Sequence, residues 1–405
     1  MSWRFFDYYR KNENNDAMIN SYNANVNEWK FLFNCLTLFV RQNQKGDSGN
    51  PKSDESLDWQ FICETAQAHR VLPFLMVVLE EGGSLDVVPE NIRSQMVTSS
   101  REAQWQNSVK MLEFNRIQRI FESQRVPIIP LKGVALTNLV YEQYPFRRMG
   151  DIDVLVNRDD LKKVERLMKE HGFQWQETVN HWHAAMFREL FGRGDLLNGE
   201  LALDLQWDSQ FIIGGQFCSL DWSRVWDRHM PFGKLGHNVF LLDSDDQITY
   251  LSLQILNDIE VNAPYLIQLL DLALVLKKYG MNCREASETV ISRVNFSSEE
   301  KLHGLFSLLD ECFFGHGSLE MLSKGSINFL EQFLTASQKN QRSFRMPINN
   351  VIASPWRRLM FAASYFFPSR KCLKIEASTS IGHGIMAYFN YWRSLISRIG
   401  VTINS

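Results

Sequence analysis

Apolar positions recur at helical spacing toward both ends of this chain and at strand spacing in its middle. Between Asn27 and Arg41 the sequence places Trp29, Phe31, Leu32, Cys35, Leu36 and Phe39 on one side of a predicted helix. Residues 42–57 are polar and rich in Gly, Ser, Asn and Asp, which predicts a loop. Helices are predicted at 58–68, at 73–82 and over a long stretch from 90 to 124. The last has Met96, Val109, Leu112, Phe114, Ile117, Ile120 and Phe121 as its apolar side.

The pattern changes at Val126-Pro-Ile-Ile-Pro-Leu131, a short apolar run between prolines that predicts an extended segment. A helix is predicted at 134–142, followed by a strand at Met149-Gly-Asp-Ile-Asp-Val-Leu-Val156. Another helix is expected at 159–171, started by Asn157 or Asp159, and a strand near 173–179. Two further strands are expected at 184–190 and 200–207, joined by a loop from Gly192 to Gly199. From 245 onward helical spacing returns, at 245–257, 263–279, 284–293, 298–313 and 319–336. Residues 337–356 are polar. An apolar block at 356–367 and an amphipathic helix at 384–399 close the chain. The predicted fold class is α+β: a small mixed β-sheet core at 126–243, flanked by helical regions at 1–125 and 244–405.

Composition narrows the function classes. The 405 residues are 45% hydrophobic, enough for a large core, and the 28 Phe and 11 Trp argue against disorder over most of the length. A net charge of −3 excludes a strongly basic nucleic-acid binder but not a local basic groove. The six cysteines are scattered with no CxxC pair, as expected of free thiols in a reducing compartment. The charged N-terminus does not read as a signal peptide, and no apolar run is long enough to span a bilayer. The expected location is cytoplasmic.

The candidate chemistry lies on the central strands. Asp151 and Asp153 are two apart on a strand, so both carboxylates face one way while Ile152, Val154 and Val156 face a core. Two like charges on an apolar strand need a cation between them, and a divalent metal with oxygen ligands supplies one. In Glu200-Leu-Ala-Leu-Asp-Leu-Gln-Trp207, Leu201, Leu203, Leu205 and Trp207 share one face and Ala202, Asp204 and Gln206 the other. If the two strands are neighbours, Asp204 is a third carboxylate beside the pair. Three acids suit two metal ions about 3.5–4 Å apart, and the third can accept a proton from an attacking hydroxyl. Upstream, Leu131-Lys-Gly-Val134 is a strand-to-helix turn: Lys132 and Gly133 are candidates for a phosphate-binding turn, and Arg147 and Arg148 for further phosphate ligands.

These residues resemble a known family. The Lys132-Gly133 turn, Arg147-Arg-Met-Gly-Asp-Ile-Asp-Val-Leu-Val156 and the later Leu203-Asp-Leu-Gln-Trp207 are similar to the uncharacterised bacterial nucleotidyltransferase family of the polymerase-β-like superfamily. Leu57-Asp-Trp59, Ala68-His-Arg-Val-Leu-Pro73, Leu269-Leu-Asp-Leu-Ala273 and Phe366-Phe-Pro-Ser369 extend the resemblance along most of the chain. It implies Mg²⁺ dependence, with Mn²⁺ as a substitute, an NTP donor and a hydroxyl-bearing acceptor. It also implies Asp151, Asp153 and Asp204 as catalytic and metal-binding acids, with Lys132, Gly133 and Arg147 near the nucleotide. One departure stands out: Gln206 occupies a position where the family commonly has His. It motivates an alternative reading, a catalytically silent nucleotide- or partner-binding relative. Transfer to RNA, as in toxin-like relatives, is another.

Competing motifs are weak. His181 and His183 would share a strand face, but no third ligand stands at matching spacing for zinc. No nucleophile elbow and no P-loop occur. The tail helix 384–399 carries aromatics with Arg393 and Arg398 and is a candidate surface for a partner protein.

Overall fold

The computed structural model describes residues 25–42, 57–176, 180–199, 201–294, 299–315 and 322–339, with single positions at 373, 387 and 391. Among the described residues four α-helices come first: α1 (Val26–Gln42), α2 (Trp59–Ala68), α3 (Leu72–Glu81) and α4 (Glu90–Ser123). Local chemistry fixes their ends. The Asp58 side chain accepts from the Phe61 N–H at 3.0 Å to cap α2, and Pro73 sits in the first turn of α3, where its missing N–H costs nothing. In α4, Met96, Phe114, Ile117 and Phe121 are buried as expected. Val109 and Leu112 instead point to solvent, 42% and 69% exposed beside Trp105 at 71%. The apolar stripe of α4 is therefore split into an inner and an outer part.

A five-stranded sheet follows, in the order β1-β2-β5-β4-β3. Its strands are β1 (Ile128–Pro130), β2 (Ile152–Val156), β3 (Gln174–Trp175), β4 (Arg193–Asn198) and β5 (Leu201–Gln206). The β2–β5 pair is parallel; the other three pairings are antiparallel. Helix α5 (Lys132–Leu139) links β1 to the segment before β2, and α6 (Leu161–Glu170) follows β2. Asn157 caps the turn between β2 and α6 by accepting from the Asp159 N–H.

Both faces of the sheet are covered. Ile152, Val154 and Val156 join Leu203, Leu205, Trp207 and the α4 residues Phe114, Ile117 and Phe121 in one apolar cluster. On the opposite face Ile129, Leu131 and Leu155 belong to a larger cluster that takes in helices from both ends of the chain. Asp153 and Asp204 share that second face, where period-two alternation puts them.

Between β3 and β5 the structure departs from the sequence expectation. The predicted strand 184–190 lies within a helix, α7 (His181–Phe191), and the predicted loop from Gly192 to Gly199 is largely strand β4. Asn180 caps α7 by accepting from the His183 N–H at 2.7 Å, and Gly192 ends it at φ +60. A Cβ at Gly192 would sit 2.0 Å from the Asp208 carbonyl oxygen, so this turn admits only glycine. In a helix, residues two apart point in nearly opposite directions. His181 is exposed and His183 buried, and they do not form a pair on one face.

Two short hairpins, β6–β7 (Phe211–Ile213, Gln216–Cys218) and β8–β9 (Met230–Pro231, Phe240–Leu241), flank α8 (Trp222–Arg228). Further α-helices are α9 (Ser244–Glu260), α10 (Leu266–Tyr279), α11 (Cys283–Arg293), α12 (Glu299–Leu309) and α13 (Lys324–Lys339). Cys35, Cys63, Cys218, Cys283 and Cys312 are buried free thiols. Among the described residues no helix is long and apolar enough to cross a membrane. The predicted apolar block 356–367, nearly all of the tail helix 384–399 and most of the 42–57 loop lie outside the described residues.

Candidate functional site

The sheet register assembles a row of acids. Asp153 on β2 is the direct partner of Asp204 on β5, and Asp204 is in turn the partner of Asp195 on β4. Direct partners on neighbouring strands project to the same side, so three carboxylates line up across three strands. Asp153 and Asp204 are buried, at 2% and 8% exposure; Asp195 is half-buried. Asp151, just before β2, is also half-buried.

Cationic and amide groups hold this row together. The Lys132 ammonium donates to Asp153 Oδ1 at 2.7 Å. Gln206 Nε2 donates to Asp204 Oδ2 at 2.9 Å and to Asp153 Oδ1 at 3.3 Å. On its other side Gln206 Oε1 accepts from Ser209 at 2.6 Å and from the Tyr250 hydroxyl at 3.3 Å. The amide is thus fixed in one orientation, with its donor end toward the acids. Arg193, half-buried on β4, is the register partner of Gln206, in the field of Asp204, Tyr250, Asp258 and Asp195.

Burial and crowding set the protonation of the group. Burial, then the neighbouring Asp151 and Asp204, push the Asp153 carboxyl well above the usual carboxylate range despite Lys132. Burial opposes charge on Lys132, but Asp153 and the other acids outweigh it and hold its amine firmly protonated. Burial also raises Asp195, with Asp204 adding to the effect. Asp151 is the exception: burial pushes its carboxyl up, but the surrounding cations, Lys132 foremost, prevail and lower it.

The surrounding elements place these side chains. The Leu131 N–H donates to the Asp153 carbonyl at 3.0 Å, and Lys132 then takes a left-handed φ of +45 to start α5. Gly133 is buried. A Cβ there would lie 2.7 Å from Met149 Cγ and 3.4 Å from Arg147 Nη1, so its bare backbone lets the 147–149 segment pack closely. That segment is pinned twice. Asn107 of α4 donates to the Pro145 and Arg147 carbonyls, both at 2.6 Å, and accepts from the Met149 N–H at 3.0 Å. The Arg147 guanidinium donates to Asp271 of α10 through Nε at 2.8 Å and Nη2 at 2.5 Å, and Tyr141 donates to the same carboxylate at 2.8 Å.

Of the residues singled out from sequence, the structure thus brings Asp153, Asp204 and Lys132 into one cluster, with Asp151 at its edge. Arg147 is buried with its guanidinium on Asp271, and Arg148 is exposed on the rim. Sequence reasoning missed Asp195 and Arg193, assigned to a loop, and the supports Asn107, Asp271 and Tyr250. Arg193-Gly-Asp-Leu-Leu-Asn198 has no period-two alternation that would have signalled the first two.

The donor set suits a hard cation, being carboxylate oxygens. Among the described residues, however, no three Asp, Glu, His or Cys side chains stand together ready to hold an ion. The ammonium of Lys132 and the amide of Gln206 occupy the space between the acids instead. Mg²⁺ commonly uses one or two carboxylates and completes its shell with water and substrate phosphates. Asp151 and Asp153 fit that pattern.

A family model described as uncharacterised nucleotidyltransferase matches residues 55–305, and with more than half of its length matched the chain belongs to that family. The matched span runs from just before α2 into α12 and contains every site residue named above. No curated protein and no solved structure matches the chain.

Proposed function

We propose that this chain transfers an NMP from an NTP to the hydroxyl of an acceptor. The observation that carries the reading is the cross-strand row Asp153–Asp204–Asp195, with Lys132 seated on it, in a chain of the nucleotidyltransferase family. Asp151 and Asp153 would hold Mg²⁺, or Mn²⁺ in its place; bound there, the ion neutralises phosphate charge. Lys132 and Arg193 are the cations that orient the triphosphate along the acid row. Asp204 accepts the proton as the acceptor oxygen bonds to the α-phosphorus. The bond from that phosphorus to the bridging oxygen breaks, and pyrophosphate leaves. Arg147 acts through its hold on the 147–149 backbone and is a positioning residue in this reading. Gly133 allows the same close packing.

A second reading has its own observation. Lys132 and Gln206 already satisfy Asp153 and Asp204, as expected of a nucleotide binder without turnover. The two readings separate in one experiment. Wild type and the Asp151→Asn/Asp153→Asn variant are incubated with α-labelled NTPs, Mg²⁺ and a panel of hydroxyl acceptors, and NTP binding is measured in parallel. Transfer lost in the variant supports the transferase. Metal-dependent binding with no transfer supports the silent relative. Equal NTP binding by both proteins would remove the acids from the site altogether.

A further inference from the structure

The acid row has cations at both ends. Arg193 stands at the β4 end. At the other end, beside Asp151, stands Arg70. Arg70 Nη1 lies 3.9 Å from where a Cβ of Gly150 would be, one residue from Asp151. Arg70 also lines a small cleft, open to solvent, between the α2–α3 corner and α4, with Gln67, Ser99, Glu102, Gln106 and Arg148. Ser99, Gln106 and Lys110 recur on α4 at spacings of seven and four, so one helix face leads from the cleft toward Asp151.

Arg70 is held there at a conformational cost. It occupies the left-handed position after α2, at φ +63, where Gly or Asn is the unstrained choice. Its guanidinium lies 4.2 Å over the Tyr265 ring, a contact that restrains it. A strained, preoriented arginine beside a polar cleft is the kind of device found where ligands bind.

We infer that this cleft is the acceptor side of the site and that the acceptor carries an anionic group, a phosphate or carboxylate, bound by Arg70 and Arg148. The inference rests on the transferase reading for its position and adds the acceptor's chemical class. Triphosphate and acceptor anion then have separate cations, Lys132 and Arg193 for one and the α2–α4 cleft for the other. Glu102, the one acid lining the cleft, sets a preference for acceptors whose hydroxyls it can accept from.

The test uses the full chain loaded with a non-hydrolysable NTP and Mg²⁺, then titrated calorimetrically with inorganic phosphate. Arg70→Asn removes the charge and keeps the left-handed turn. Arg125→Asn makes the same change at another left-handed arginine, exposed after α4 (φ +54), and serves as the control. The expected result is one phosphate per loaded wild-type chain, with affinity about tenfold lower in Arg70→Asn, as for the loss of one charge-assisted hydrogen bond. Arg125→Asn should match wild type in both phosphate and NTP affinity. No phosphate uptake by loaded wild type, or equal weakening in both variants, overturns the inference while the transferase reading stands. If the NTP itself fails to bind, that reading fails separately. The phosphate titration of the free chain then decides the cleft: loss confined to Arg70→Asn upholds an anion site, and equal binding overturns it.

Discussion

Arg147 and Asp271 are 124 residues apart in the chain and meet in two parallel hydrogen bonds, both side chains buried. The pair ties the segment leading into β2 to a helix of the C-terminal half. Buried pairs are weak evidence of net stabilisation, but removing one partner leaves a buried charge with nothing opposite it. Asp271→Ala also strips the Tyr141 hydroxyl of its acceptor. It should lower unfolding free energy by about 3–5 kcal/mol in urea titrations. In the surviving folded protein it should weaken NTP binding through displacement of Asp151. A loss below about 1 kcal/mol would mean the pair is not holding the segment.

Gln206 bridges four groups, and its replacement should reveal what it neutralises. Gln206→Leu keeps the volume nearly constant but leaves Ser209, Tyr250 and two acids short of a partner. A destabilisation of roughly 1–3 kcal/mol is expected without nucleotide. Gln206→His offers one ring donor to the acids and should recover part of that loss. Thermal melts of the three proteins check the order wild type, His, Leu.

Lys132 combines a charge contact with a left-handed backbone, and two substitutions separate them. Lys132→Gly and Lys132→Ala remove the same ammonium. Glycine adopts φ +45 without strain and alanine does not, so the Gly variant should be the more stable by about 1 kcal/mol. Both should lose NTP affinity equally, by about tenfold or more, because the charge is absent in each. Unequal NTP affinities would assign the effect to backbone geometry instead.

Acid sensitivity should come in part from two buried histidines outside the acid row. Burial lowers His69 and His183 to about 4 from 6.5. A depressed histidine stays neutral in the folded protein while the unfolded chain takes up a proton. Stability from this source is therefore complete above pH 6.5 and is lost as pH falls toward 4. For His69, whose ring nitrogen accepts from the Leu266 N–H at 3.3 Å, the full effect is roughly 3 kcal/mol. The slope of unfolding free energy against pH between 6.5 and 4 should flatten in His69→Gln, and further when His183→Gln is added.

Much of the site's frame was legible in the sequence because strand alternation and charge sit in register there. Asp-Ile-Asp-Val-Leu-Val and Leu-Ala-Leu-Asp-Leu-Gln each carry a period-two pattern strong enough to fix facing, and both strands formed as read. The 181–199 stretch was not legible. His181 to Phe191 has apolar residues in a block rather than a clear stripe, and its helix depends on the Asn180 cap and the Gly192 stop. Arg193 to Asn198 looks like a loop by composition. It is a strand because β5 offers an open edge and because Arg193 lies among acids once paired. Val109 and Leu112 satisfied helical spacing yet face solvent, since they lie across the helix from Ala103, Asn107 and Phe114, which face the core. Arg147 looked like a phosphate ligand by position. Its partner, Asp271, is supplied by a helix too distant in sequence for local pattern to reveal.

The large apolar cluster that takes in Leu155 and Ile129 also contains Phe33 and Phe39 from the first helix and Phe329 and Phe333 from α13. Helices α1 and α13 thereby contribute to one oily cover on the side of the sheet that bears the acids. A fragment trimmed to residues 126–243 would leave that side bare. Such a piece should aggregate when expressed alone, so biochemical dissection of this protein has to proceed by point substitution within the intact polypeptide.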